Sequence, residues 1–170
     1  MKYYITFLSA MLFTSFCFGQ QIEFSNMASI KPPGRMQKMQ QKEVLNMTRQ
    51  KLGKHPSLQN FLNSNSDYVY KVDDITIFIK TSPRQPSNKL NALKLTMQSI
   101  GPASIETVDG KRFVLGLDST KKDVILYRFF CVNSANTIQV AGVVTADIKD
   151  KEKAKALIYD IIKGIKFKVQ

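Results

Sequence analysis

The sequence predicts an α+β fold in which helices cover a mostly antiparallel sheet, and three observations carry that prediction. Strand-like alternation comes in pairs joined by turns too short for a crossover. Helical stripes lie between and after those pairs. Two long segments in the C-terminal half are apolar on both faces, as central strands are.

From the N-terminus, residues 1–19 have the layout of a secretory signal: Met1 and Lys2, then an apolar run over 5–18, then small residues. The run is short for a membrane span, so cleavage after Gly19 is expected, leaving Gln20 first in a mature chain of 151 residues. That length suits one core rather than two. Cys17 raises lipidation as an alternative, but Phe16 stands where a lipoprotein signal wants a small residue. The expected location is periplasmic or secreted.

Residues 20–56 read as a basic helical segment ahead of an α+β domain over 57–170. Lys31, Arg35, Lys38, Lys42, Arg49, Lys51 and Lys54 face the single acid Glu43. The segment opens on the breaker cluster Lys31-Pro32-Pro33-Gly34 and then predicts a helix over 36–52, with Gly53 to end it and Pro56 to prevent its resumption. A short helical turn over 58–62 and a polar break over 63–66 precede the first strands.

Tyr68, Tyr70 and Val72, then Ile75, Ile77 and Ile79, alternate on either side of Asp73-Asp74, which predicts a hairpin. A loop over 82–86 leads to Ser87 as a cap and to a helix with the stripe Leu90, Leu93, Met97 and Ile100. Gly101-Pro102 ends it, the glycine being expected in a left-handed cap. Strands over 104–108 and 111–117 flank Asp109-Gly110, a dipeptide suited to a two-residue hairpin turn. Strands over 123–132 and 137–146 are the doubly apolar pair. The last helix carries Ala154, Leu157, Ile158, Ile161 and Ile162 on one face, with Asp147 or Asp150 as cap and Gly164 at its close. A final strand is expected over 165–169.

Most catalytic chemistries lack their parts. The one histidine, His55, sits beside Pro56, no Gly-x-Ser-x-Gly elbow is present, and one histidine with one mature cysteine falls short of the usual zinc ligand sets. The eight glycines do not take phosphate-loop spacing. Asp73-Asp74 and the group Asp147, Asp150 and Glu152 have sufficient explanations in turn formation and helix-dipole stabilisation. Cys131 lies among bulky apolar residues and reads as a buried structural thiol, and no mature disulfide can form. The expectation is a protein with no catalytic residues, no cofactor and no metal.

A mature charge near +11 favours acidic partners, an envelope component or a protein, and export argues against nucleic acid. The seven basic residues of 31–54 are the candidate contact. The alternative is a carrier or sensor of a small apolar ligand, held in a cleft at Tyr70, Phe78 and Tyr127.

Antiparallel strands around a middle helix, the apolar run Asn136-Thr137-Ile138-Gln139-Val140-Ala141-Gly142-Val143-Val144, and a closing helix ending in Ile162-Lys163-Gly164-Ile165-Lys166-Phe167 together resemble the PsbP and DcrB group of small α+β domains. The resemblance covers about residues 68–170. It implies an accessory or envelope protein rather than an enzyme and carries no functional residue to a position here. The predicted helix over 36–52 is an addition to that pattern.

Overall fold

The computed structural model describes residues 21–24, 26–34, 36–40, 42–43, 46, 68–85, 89–118 and 123–168. The expected leader over 1–19, Arg35, Arg49, Lys51, Lys54, His55 and Ser87 lie outside the described residues.

Turn chemistry sets the antiparallel frame. Asp73 (φ 50°), Asp109 (φ 50°), Gly110 (φ 72°) and Asn136 (φ 57°) take the left-handed conformations that tight turns require. The first hairpin joins β4 (Tyr68–Val72) to β5 (Ile75–Pro83), with Val72 opposite Ile75. The second joins β6 (Ala103–Val108) to β7 (Lys111–Asp118) around Asp109-Gly110. The third joins β8 (Val124–Val132) to β9 (Ile138–Asp147). There the Asn133 side chain organises the loop: its Oδ1 accepts from the backbone N–H groups of Thr137 (2.8 Å) and Ile138 (3.0 Å).

With β3 (Gln37–Lys38), these strands form a seven-stranded antiparallel sheet in the order β3-β4-β5-β9-β8-β7-β6. β9 is the middle strand and β8 its neighbour, as their two apolar faces predict. A second sheet has β2 (Ala28–Ile30) between β1 (Ile22–Phe24) and the C-terminal β10 (Ile165–Phe167).

Two helices cover opposite faces. α1 (Leu90–Gln98) buries Leu90 and Met97 against Val114. α2 (Lys151–Gly164) follows a 3₁₀ turn at Ile148–Asp150 and buries Ala154, Leu157, Ile158, Ile161 and Ile162, the five residues of the predicted stripe. Its core partners include Phe113, Tyr127, Phe129, Cys131 and Val144 from the sheet and Ala28, Ile30 and Ile165 from the small sheet. The α+β class and the mostly antiparallel sheet are as the sequence predicts.

Several local expectations are corrected. The predicted helix over 36–52 does not begin at Met36, because Gln37 and Lys38 are β-strand paired with Lys71 and Tyr70. Helical backbone appears at Lys42, Glu43 and Asn46, and the remainder of that range lies outside the described residues. Residues 22–38, read as part of a separate segment, contribute strands to both sheets, and Ala28 and Ile30 lie in the main core. β5 runs on to Pro83, into the expected loop, because its residues 80–83 pair with β9.

The glycine ending α1 is required by space, not by handedness. Gly101 has no positive φ, and a Cβ there would stand 2.1 Å from the Leu117 carbonyl oxygen. Gly164 is constrained likewise by the Lys31 carbonyl at 2.3 Å, and its own carbonyl accepts from the Lys31 N–H at 3.0 Å. Asp150 occupies the cap position of α2, but its carboxylate pairs with Lys153 at 3.1 Å instead of capping.

Candidate functional site

The β3–β4 register sets Lys38 directly across from Tyr70, so both side chains leave the sheet on one face. Tyr68, two residues before Tyr70, shares that face, and the Lys38 ammonium lies 5.5 Å from its ring centroid, at cation–π distance. The chain entering β3 passes over this group. Gln21 and Ile22 at β1, the turn at residues 32–34, Met36, Lys38 and Tyr70 enclose a cavity of about 380 Å³. Prolines 32 and 33 hold the turn, since a proline fixes φ and disfavours helix in the residue before it. Tyr70 is 1% exposed, and its buried hydroxyl has no hydrogen-bond partner among the described residues. Burial, followed by the neighbouring Tyr68, pushes the Tyr70 phenol up to about 12, so the hydroxyl keeps its proton at neutral pH.

The three aromatics of the expected apolar cleft do not share one. Tyr70 aligns with Ile77, Ile77 with Val144, and Val144 with Tyr127, placing Tyr70 and Tyr127 on one face but three strands apart, about 14 Å. Phe78 follows Ile77 and therefore faces the other way, where it is fully buried with Val69, Leu126 and Val143. Period-two alternation puts residues of even and odd separation on opposite faces, and an aromatic count takes no account of this.

Tyr127 belongs to a different and more polar recess of about 330 Å³, lined by Ser104, Glu106, Leu117, Lys151, Glu152 and Lys155 among others. The Tyr159 hydroxyl donates to the Glu106 carboxylate, and the Ser104 hydroxyl donates to its other oxygen at 2.7 Å. Burial, then Glu152 and Glu106, raise the Tyr127 phenol. Burial and the bond to Glu106 push Tyr159 up to about 12. The carboxylate of Glu106 thus has two internal donors, a satisfied network with a structural purpose.

Of the seven candidate basic residues, Lys31, Lys38 and Lys42 are described, and all three are exposed. Lys111, Lys153, Lys163 and Lys168 each have an acidic neighbour, Asp109, Asp150, Asp160 and Glu23 respectively, at 2.5 to 3.3 Å. Among the described residues, Lys31, Lys38 and Lys42 have no such ion pair. Lys89, Lys94, Lys149, Lys151, Lys155 and Lys166 of the C-terminal half likewise have no ion pair among the described residues. Cys131 is fully buried on β8, and burial pushes its thiol up to about 12, the reverse of what a nucleophile needs. No helix of the described residues is long and apolar enough to cross a membrane.

Sequence reasoning singled out Tyr70 and Lys38 separately and missed their pairing. A two-residue strand has no period to detect, and only the cluster Lys31-Pro32-Pro33-Gly34 marked a turn there. A groove of about 660 Å³ at the tips of two hairpins also escaped notice, with Lys89, Lys111, Arg112, Asn133 and Phe167 on its walls.

No family model matches the chain, and no curated protein matches it in sequence. Solved structures do match in shape. LpqN of Mycobacterium tuberculosis, a protein involved in cell envelope biogenesis, superposes with a TM-score of 0.51 at 10% identity, over 84% of this chain and 83% of its own. The solution structure of the cyanobacterial PsbP of Synechocystis sp. PCC 6803 gives a TM-score of 0.47 at 10% identity, over 91% of this chain and 99% of its own. The likeness to LpqN is one of fold, and the chain is an α+β domain with helices on a mostly antiparallel sheet.

Proposed function

We propose that this is an exported, noncatalytic binding protein of the cell envelope whose basic N-terminal stretch contacts an acidic envelope component or partner protein. The observation that carries this reading is the concentration of charge between residues 31 and 54, where seven basic residues stand against the single acid Glu43. Lys31, Lys38 and Lys42, the three of these that are described, are exposed and have no ion pair among the described residues. An uncompensated row of cations concentrates positive potential where an anionic surface would gain most. The leader-like residues 1–19 support export, and the fold shared with LpqN is compatible with an envelope setting.

The test is charge reversal. Replacing Lys38, Lys42, Arg49 and Lys51 together by Glu is expected to release the protein from the envelope fraction at low salt, with its thermal melting retained. The wild type is expected to dissociate as salt rises, because exposed charge contacts are screened. Association that survives the four substitutions would exclude the basic stretch as the contact. Mass spectrometry of the exported protein is expected to place Gln20 first.

A further inference from the structure

The outer edge of β6 is the longest open strand edge among the described residues. β6 runs six residues, Ala103–Val108, and pairs only with β7. At the other end of the seven-stranded sheet β3 has two residues, and β1 and β10, at the rims of the small sheet, have three each. We propose that two copies of this chain join antiparallel along β6, across a two-fold axis at Ile105, so that one sheet continues into the other.

The alternation of the β6–β7 ladder identifies the free groups. Val108 and Lys111 flank a two-residue turn and so form a hydrogen-bonded pair, which gives the same status to Glu106 with Phe113 and to Ser104 with Leu115. The bond from the Leu117 N–H to the Pro102 carbonyl, at 2.9 Å, continues that alternation. The backbone N–H and C=O groups of Ala103, Ile105 and Thr107 therefore point away from β7, and they have no hydrogen-bond partner among the described residues. Edge strands are ordinarily blunted by proline, lysine, a bulge or extreme shortness. β6 has none of these: its sequence is ASIETV, and its pairing with β7 is unbroken.

Symmetry and side chains select a second copy as the occupant. Self-pairing about a two-fold axis sets residues of equal parity opposite each other, and the longest overlaps are centred on Glu106 (104–108) or on Ile105 (103–107). The first places two Glu106 carboxylates directly opposite in a non-hydrogen-bonded pair, with Cα atoms only about 4.5 Å apart, where like charges repel. The second answers every outward group, since Ile105 bonds to its own counterpart and Ala103 to Thr107 of the second copy. Its side-chain neighbours are compatible throughout. Ile105, half-buried at the rim of the Leu90, Met97 and Val114 patch, meets another Ile105, and Ala103 meets Thr107. Ser104 meets Glu106, a pairing already made within one chain, where the hydroxyl donates to the carboxylate at 2.7 Å. A second copy brings this match with it, which an arbitrary extended segment does not. The joined sheet leaves β3, with Lys38, at both outer ends, so this contact and that of the basic stretch fail separately.

Sedimentation of the purified protein from about 10 μM to about 1 mM is expected to pass from monomer to dimer, because an edge contact is smaller than a standard interface and correspondingly weak. Thr107→Pro removes an outward N–H that the monomer does not use. It is expected to raise the dimer dissociation constant about tenfold or more while the melting temperature is retained. Thr107→Val keeps that N–H and is expected to dimerise like the wild type. In the wild type, the amides of Ala103, Ile105 and Thr107 are expected to exchange with deuterium more slowly as concentration rises, whereas those of Ser104 and Glu106, bonded to β7, are slow at any concentration. A wild type that stays monomeric throughout this range would overturn the proposal and leave the edge to an extended segment of another protein. So would a folded Thr107→Pro that associates like the wild type, or a dimer in which the three outward amides gain no protection. Should Thr107→Pro not fold, the exchange pattern of the wild type decides.

Discussion

The two faces of the seven-stranded sheet are covered in different ways. On one, α2 and the small sheet press onto a continuous core that runs from Tyr70 and Ile77 through Val144 to Tyr127, Phe129 and Phe113. On the other, the described core divides into two patches, Val69, Phe78, Leu126 and Val143 on one side and Leu90, Met97 and Val114 on the other. Between these patches Arg128 donates to Asp118 at 2.9 Å, with the Asp118 side chain only 3% exposed. The first face is held by uninterrupted apolar contact, the second by smaller patches separated by an ion pair. A buried pair adds little net stability over apolar residues, yet losing one partner is costly because a charge is left behind.

The largest expected effect lies on the continuous face. Phe129 is fully buried, and its ring covers Gly142 so closely that a Cβ there would stand 2.2 Å from it. Phe129→Ala is expected to lower the unfolding free energy by about 3–5 kcal/mol in urea denaturation, through lost transfer energy and the cavity left behind. A much smaller loss would show that the core collapses around the gap and is less rigid than its packing implies.

Next comes the divided face. Arg128→Ala is expected to cost about 3 kcal/mol by leaving Asp118 buried without this partner, and Arg128→Met substantially less when combined with Asp118→Leu. If the double substitution costs as much as the single one, the ion pair fixes this face in a way that apolar packing cannot replace.

Most of the architecture can be read from the sequence because it rests on local rules. Asp109-Gly110 fixes a hairpin by its φ preferences, and the spacing of Leu157, Ile158, Ile161 and Ile162 marks one helix face without reference to anything else. The candidate site is less legible. Tyr70 stands out as an aromatic on a strand, but its significance depends on which residue pairs beside it, and that is Lys38, from a two-residue strand with no pattern of its own. Gly101 illustrates the same limit: its place at a helix end suggests a left-handed cap, whereas the Leu117 carbonyl, brought close only by tertiary packing, is what excludes a side chain. Pairing and close approach are properties of distant segments, and composition does not encode them.

The smallest effect is confined to alkaline pH and distinguishes burial of the thiol from mere crowding. In the folded protein the Cys131 thiol is raised from 9.0 to about 12. Its contribution is therefore complete below pH 9 and is lost as pH rises toward 12. By pH 10 the loss is on the order of 1 kcal/mol. Denaturation midpoints measured from pH 8 to 10 are expected to fall in the wild type and to fall less in Cys131→Ala. Equal slopes would place the thiol in contact with water.

The pairing of β10 with β2 has a consequence for the order of assembly. Ile30 aligns with both Ile22 and Ile165, so one edge of β2 can be filled by a strand close in sequence, while the other waits for residues made much later. During synthesis the hairpin of β1 and β2 exists long before its final neighbour does. Hairpin contacts are local and fast, whereas the closing contacts span nearly the whole chain and must overcome its loop-closure entropy. Until β10 arrives, the second edge of β2 presents unpaired backbone donors and acceptors, a place where another strand could pair instead.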